Sequence, residues 1–307
     1  MIIRSLIGLL ALVTQAVCFP VQAVSYLIDN RKEQEKIDLQ RQFRPFSWQT
    51  QGFCINKADF KKLKNQSIGY KQFDTTFTAT IPCNELSGFI VSCGGVIANI
   101  DWDTNKIFRD KSAYAYTLMS VGGYTLALPR WNWSILFSVL TDPEKFGSFN
   151  YNIYQLVMCG RYKASDVMEI TMGVVNEAGL RQEKAWPLVG LSCKPCKDLT
   201  VNLIYPNNFS IDYACSSICR FGTSFRIIRF RKRLHENAIL SKGIFEYENQ
   251  GLEANIKIIP SERSYLKVFG GIALGKGFSF ADRKNHAQIT EKFKDSGYFG
   301  GNFVISF

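Results

Sequence analysis

The sequence predicts an all-β fold: an antiparallel up-and-down transmembrane β-barrel of about 12–14 strands behind an N-terminal signal peptide. Three observations predict it. Apolar and polar side chains alternate with a two-residue period from about residue 46 onward, many alternating segments run 10 to 16 residues, and the N-terminus has the layout of an export signal. Successive side chains on a strand point to opposite faces, so each such segment has one apolar and one polar side. Length separates a barrel from a soluble sandwich. A tilted strand needs roughly 9–11 residues to cross a bilayer, whereas sandwich strands are nearer five or six.

Composition closes off other classes. The hydrophobic fraction of 46% excludes a disordered chain, and the mean hydropathy of −0.05 excludes a polytopic helical membrane protein. There are 37 Lys and Arg against 26 Asp and Glu, a net charge of +11. These cations are spread along the chain with no zinc finger or RNP-type motif, so no nucleic-acid partner is expected. Two His and no Gly-rich phosphate loop give no reason to expect a cofactor.

The elements follow in order. Residues 1–23 read as a signal peptide: Arg4, the apolar run Leu6 to Val17, and a small residue at Ala23 as the cleavage position, with Ala16 as the rival. Cys18 raises a lipoprotein reading, which Gln15-Ala16-Val17 fits poorly. Residues 24–45 are a polar lead-in. Residues 46–307 form the barrel, with candidate strands at 46–56, 70–82, 88–102, 112–128, 131–141, 149–163, 166–178, 187–206, 209–216, 220–230, 239–249, 251–259, 264–276 and 297–307. Phe73, Phe77 and Ile81 against Asp74, Thr76 and Thr78 show the alternation clearly. Turn signals separate the strands, among them Pro206-Asn207-Asn208, Asn249-Gln250-Gly251 and Pro260-Ser261-Glu262.

The last segment is the most specific. Phe299, Gly301, Phe303, Ile305 and Phe307 share one face and the chain stops on Phe307. This resembles the closing-strand signal of bacterial outer-membrane β-barrel proteins. The resemblance implies placement in the outer membrane of a Gram-negative-type bacterium, contact with its lipid, and recognition by the barrel assembly machinery. If the last strand ends in the periplasm, counting backward puts connections 260–263, 231–238, 207–208, 164–165, 129–130 and 83–87 there. Connections 277–296, 250, 217–219, 179–186, 142–148, 103–111 and 57–69 then fall outside, mostly the longer set.

Export places the cysteines where disulfides persist. A hairpin turn at Asn207-Asn208 would make paired positions sum to 415 and join Cys196 to Cys219. Cys54, Cys83, Cys93, Cys159, Cys193 and Cys215 have no assignable partner, and cross-links to envelope neighbours are a further use for them. The spacing Cys193-Lys-Pro-Cys196 and Cys215 to Cys219 only approximates a zinc ribbon. The densest basic run is Arg226, Arg229, Arg231, Lys232 and Arg233, expected at the periplasmic end of its strand, as a cationic constriction or an interfacial cluster. Together these features imply a passive pore or structural envelope component in a narrow-lumen barrel, not an enzyme. Two other readings stay open: a soluble secreted β-protein that binds a partner, and a rim-site hydrolase using His286.

Overall fold

The computed structural model describes residues 45–62, 65–84, 86–102, 113–128, 130–206, 208–234, 242–282, 284 and 286–307. The signal peptide with Ala23, and the lead-in up to residue 44, lie outside the described residues. Among the described residues the structure is all β apart from two single 3-10 turns.

The strands are β1 (Phe46–Asp59), β2 (Ser67–Asn84), β3 (Ser87–Trp102), β4 (Ala113–Thr125), β5 (Trp131–Thr141), β6 (Ile153–Ser165), β7 (Met168–Gly179), β8 (Gln182–Cys196), β9 (Leu199–Tyr205), β10 (Asn208–Ala214), β11 (Cys219–Arg233), β12 (Ile244–Ser261), β13 (Ser264–Ala273), β14 (Gly277–Ala281), β15 (Ala287–Glu291) and β16 (Ser296–Ser306). Each of β1 to β13 pairs antiparallel with its neighbour in sequence, and β16 joins β13 to β1. Fourteen strands therefore close a ring, which removes every long free edge but the one described below. The remaining two are continuations. Glu248 of β12 faces Gly277 of β14 and Gly251 faces Ala273 of β13, with one extra residue bulged between them. β15 stands to β14 in the same register as β16 to β13.

The two ends of the ring differ. At one, the turn end, connections such as 166–167, 197–198 and 262–263 are tight; at the other, the loop end, lie 60–66, 103–112, 142–152, 234–243 and 274–295.

The side chains sort by half. The apolar faces legible in the sequence point outward: Phe73, Phe77, Ile81, Phe89, Ile135, Leu203 and Leu252 are all exposed, while Asp74, Thr78, Ser92, Ser138, Asn202 and Asn255 on the other faces are buried inside. A soluble β-protein does the reverse. The belt is the surface a bilayer would cover. Inside the loop-end half the wall turns aromatic. Phe60, Tyr70, Tyr114, Tyr116, Phe230, Phe245, Tyr247, Phe278, Phe280 and Phe293 pack into one buried cluster, with Tyr70 and Tyr247 stacked at 4.3 Å.

Two strand boundaries expected from sequence are corrected, and they cancel in the count. The single strand 187–206 is two strands, β8 and β9, joined at Lys197-Asp198; Cys196 pairs with Leu199 across that turn. Conversely 239–249 and 251–259 are one strand, β12, running straight through Asn249-Gln250-Gly251. Gly251 is there for space and not for a turn, since a Cβ would lie 2.5 Å from the Tyr298 hydroxyl. The sidedness of everything between shifts accordingly: 207–208 and 231–238 belong to the loop end, 217–219 to the turn end, and 250 is no connection at all.

The same shift removes the basis for a Cys196–Cys219 disulfide. β9 and β10 pair with positions summing to 412 (Phe209 with Leu203), and Cys196 and Cys219 sit on β8 and β11 with both strands between them. None of the eight cysteines among the described residues is in a disulfide. Cys215 lies nearer Cys219 and donates from Sγ to its carbonyl oxygen at 3.0 Å.

Candidate functional site: the occluded mouth of the barrel

The basic run lies at the loop end, not at the turn end, and it crosses the lumen. β9 and β10 have only seven residues each, so β10 pairs with β11 no further than Phe225. Beyond that point, among the described residues, β11 pairs only with β12. This arm, Arg226 to Arg233 with Ile244 to Gly251, bends inward and is extended on its β12 side by β14 and β15. The Tyr116 hydroxyl of β4 donates to the Arg231 carbonyl oxygen at 2.8 Å, and Lys232 Nζ donates to the Ala115 carbonyl oxygen at 3.2 Å. β4 lies seven places from β11 in a ring of fourteen, which is the opposite wall.

Ion pairs and rings anchor the arm. Lys232 Nζ lies 3.1 Å from Asp142 Oδ2, both side chains almost fully buried, and 5.3 Å from the Tyr114 and Tyr116 ring centres. Arg229 Nε donates to Glu246 Oε1 at 2.5 Å. Arg231 Nη2 donates to the Leu180 carbonyl oxygen at 2.9 Å. Arg233 Nε donates to the Asn150 carbonyl oxygen at 2.7 Å. At the root of the arm, Glu253 accepts from Arg226 Nε at 2.9 Å, Lys267 at 3.0 Å, Ser224 at 2.6 Å and the Tyr298 hydroxyl at 3.0 Å. Arg226 itself lies 4.3 Å from the centre of Phe269. Buried charge is tolerated only when paired and hydrogen-bonded in this way.

Alternation puts Arg226 and Arg229 on opposite faces of β11, and they are. Both are nevertheless shielded, because an arm lying across a lumen is covered on both sides. Arg231, Lys232 and Arg233 are each under 5% exposed. Of the two readings, cationic constriction or interfacial cluster, the run matches neither as placed: its side chains are buried inside the barrel and paired. Sequence alone did not single out Tyr116, Asp142, Glu246 or Glu253. Glu253 and Lys267 are visible as polar-face residues of alternating strands, but their pairing needs the register.

The bend leaves a notch in the wall. Among the described residues, the upper part of β8, Gln182 to Leu188, pairs only with β7, and the facing edge of β11 carries the arm. Arg229 and Arg231 reach over this gap to Gln182 and Leu180.

The other predicted residues stand as follows. β16 closes the ring against β1; Phe299 and Phe307 are exposed on its outer face and Phe303 and Ile305 partly so. His286 is exposed in the β14–β15 turn, with Nδ1 3.4 Å from Asp282 Oδ2. That carboxylate already accepts the backbone N–H groups of Lys284 and His286, both at 2.8 Å. Among the described residues no group of three or more His, Cys, Asp or Glu could hold a metal ion.

No family model matches the sequence. Relatives do. The chain is 45% identical over 278 residues to an uncharacterised protein of Chlamydia pneumoniae, covering 86% of this chain and 88% of that one. Uncharacterised proteins of Chlamydia muridarum and Chlamydia trachomatis match over the same shares at 42% and 41% identity. Among solved structures, an outer membrane channel from Pseudomonas putida F1 aligns with a TM-score of 0.46 at 6% identity, over 88% of this chain and 98% of that one. The toluene transporter TodX of Pseudomonas putida aligns at 0.43 and 6%, over 87% and 90%. The translocator domain of the autotransporter NalP from Neisseria meningitidis aligns at 0.40 and 8%, over 93% and 96%. With every score below 0.5, the barrel rests on its own strand ladder and not on these likenesses.

Proposed function

The chain belongs to the family of these Chlamydia proteins, and we propose that it is an outer-membrane barrel acting as a passive pore whose passage is limited by the inward-folded β11–β12 arm. The observation that carries this reading is the arm itself, held to the opposite wall by Tyr116 and by the Lys232–Asp142 ion pair. The outward apolar belt supports the membrane placement, since exposed Phe and Ile at this density are costly in water. The polar Ser, Thr and Asn lining of the turn-end half supports a path for hydrophilic solutes.

Planar-bilayer conductance tests it. Wild-type barrel should pass little current, and Lys232→Ala with Asp142→Ala should open larger, longer events. If neither protein conducts while both show the heat-dependent gel shift of a folded barrel, the role is structural, as a filled barrel favours. For assembly, the outer face of β16 is the segment the assembly machinery would read. Deleting Phe307 should lower the membrane-inserted fraction without altering expression. Cys83, Cys196 and Cys215, exposed at the turn end, are the positions from which cross-links to envelope neighbours would form. Non-reducing gels of whole cells, with these three changed to Ser, should lose any such species.

A further inference from the structure

The short connection between β10 and β11, at the turn end, is flanked by Cys215 and Cys219. Pairing of these two strands runs as far as Ala214 opposite Arg220, and one further step puts Cys215 opposite Cys219. The Cys215 N–H donates to the Cys219 carbonyl oxygen at 3.2 Å, and Cys215 Sγ donates to the same oxygen at 3.0 Å. The two thiols are also in hydrogen-bonding contact with each other. We propose that Cys215 and Cys219 are a dithiol exchange pair: Cys215 takes up an incoming disulfide, and Cys219 resolves the mixed bond into a Cys215–Cys219 disulfide.

The juxtaposition has a local cause. Only Ser216, Ser217 and Ile218 separate the pair. Ser216 Oγ accepts the N–H groups of Ile218 and Cys219 at 3.3 and 3.0 Å, which curls the chain back on itself. Residues opposed in an antiparallel pair have Cα atoms about 4.5–5.5 Å apart, within the roughly 4.4–6.8 Å that a disulfide bridges. Alternation puts both cysteines on the face of Tyr213 and Phe221, the outer one. The other exposed turn-end thiols are placed differently. Cys196 faces Leu199 across its own turn, and Cys83 stands at the bulge between Pro82 and Asn84.

Exposure divides the roles. Cys215 is exposed and Cys219 half-buried, so an external disulfide meets Cys215 first. The Cys215 thiolate, its proton gone to solvent, attacks one sulfur of that disulfide; a mixed disulfide forms and the other sulfur leaves as a thiolate, which takes up a proton. The Cys219 thiolate then attacks Cys215 Sγ. The mixed bond breaks, the Cys215–Cys219 bond forms, and the second thiolate leaves and is protonated in turn. The incoming disulfide is reduced to two thiols and the pair is oxidised to one disulfide, with no other oxidant. Holding Cys219 against Cys215 makes the second step intramolecular and therefore fast. The ring so closed is short and restrains the unfolded chain little, which suits exchange better than stapling. Mixed disulfides on Cys83 or Cys196 thus persist, whereas one on Cys215 is resolved. The inference needs only that Cys215 meets a disulfide, so it stands whether or not the barrel is a pore.

Glutathione disulfide is the probe. The folded barrel in micelles is treated until Cys83 and Cys196 carry glutathione, blocked with N-ethylmaleimide, and digested with trypsin without reduction. Cleavage after Lys197 and Arg220 leaves Cys215 and Cys219 in one fragment, 198–220, and Cys196 in another. By mass, the wild-type fragment should be lighter by its two thiol hydrogens and carry no glutathione. In Cys219→Ser the same fragment should retain glutathione on Cys215 at about tenfold or more the wild-type level. Stable glutathione on Cys215 of the wild type overturns the proposal. So does a fragment left unoxidised while Cys83 and Cys196 react, or a bond from Cys215 to any cysteine but Cys219. The heat-dependent gel shift confirms that the variant is folded.

Discussion

Glu253 shows what a single residue contributes inside this barrel. Its carboxylate, 1% exposed, sits between Arg226 and Lys267 and also accepts from Ser224 and Tyr298. Replacing it with Gln leaves Arg226 buried without its partner, which costs about 3–5 kcal/mol. Urea unfolding in lipid–detergent micelles should show that loss, while Glu262→Gln in the β12–β13 turn stays within about 0.5 kcal/mol. Outside the membrane band, Asp282 behaves differently. The backbone N–H of His286, and after it that of Lys284, hold its carboxyl below the usual carboxylate range. A depressed folded-state value stabilises above the unfolded value and is lost as pH falls through the folded one. Amide protection at Lys284 and His286 should therefore be flat from pH 7 to about pH 5 and fall only below about pH 4.

At the scale of strands, the inward glycines set how tightly neighbours approach. A Cβ on Gly271 would lie 2.0 Å from the Leu252 carbonyl oxygen and 2.8 Å from the Glu253 Cα, both backbone, so β12 and β13 would have to part. Gly271→Ala should cost about 1–3 kcal/mol, and Gly52→Ala, whose nearest neighbour is at 3.5 Å, should be tolerated; the same unfolding measurement separates them. Strands of this kind were legible beforehand wherever one face met lipid. β5 begins and ends at the expected residues, Trp131 and Thr141, because Trp133, Ile135 and Phe137 alternate against Ser134 and Ser138. The arm was not legible. Its residues are buried on both faces, so Arg231-Lys232-Arg233-Leu234 carries no alternation, and a basic run reads as a solvated turn. The Lys197-Asp198 turn was missed because Asp198, a common turn residue, stands with no adjacent Gly, Pro or Asn to mark it.

At the scale of the whole molecule, the notch beside the arm fixes where the membrane can lie. Among the described residues, the backbone edges of Gln182 to Leu188 and Arg226 to Arg233 have no strand partner on that side, and unpaired backbone polar groups cannot face hydrocarbon. The apolar band must therefore end below the tip of the β9–β10 hairpin. Nitroxide labels check this. Leu203→Cys should be reached by oxygen as lipid sites are, and Glu183→Cys by a water-soluble nickel reagent; lipid-like behaviour at residue 183 would refute the placement. The ring also constrains how the molecule is made. Every ladder but one joins strands that follow one another closely in the chain, and the exception pairs Ser47 with Ser306. Ordering cost grows with the length of chain looped out, so that seam is the last to zip. The arm, tethered to Tyr116 and Asp142 on the far wall, can seat before it does. A growing barrel would thus carry its own mandrel: with the arm bonded to Tyr116 on the far wall, the distance between opposite walls would be set before the final edge arrives to be sewn.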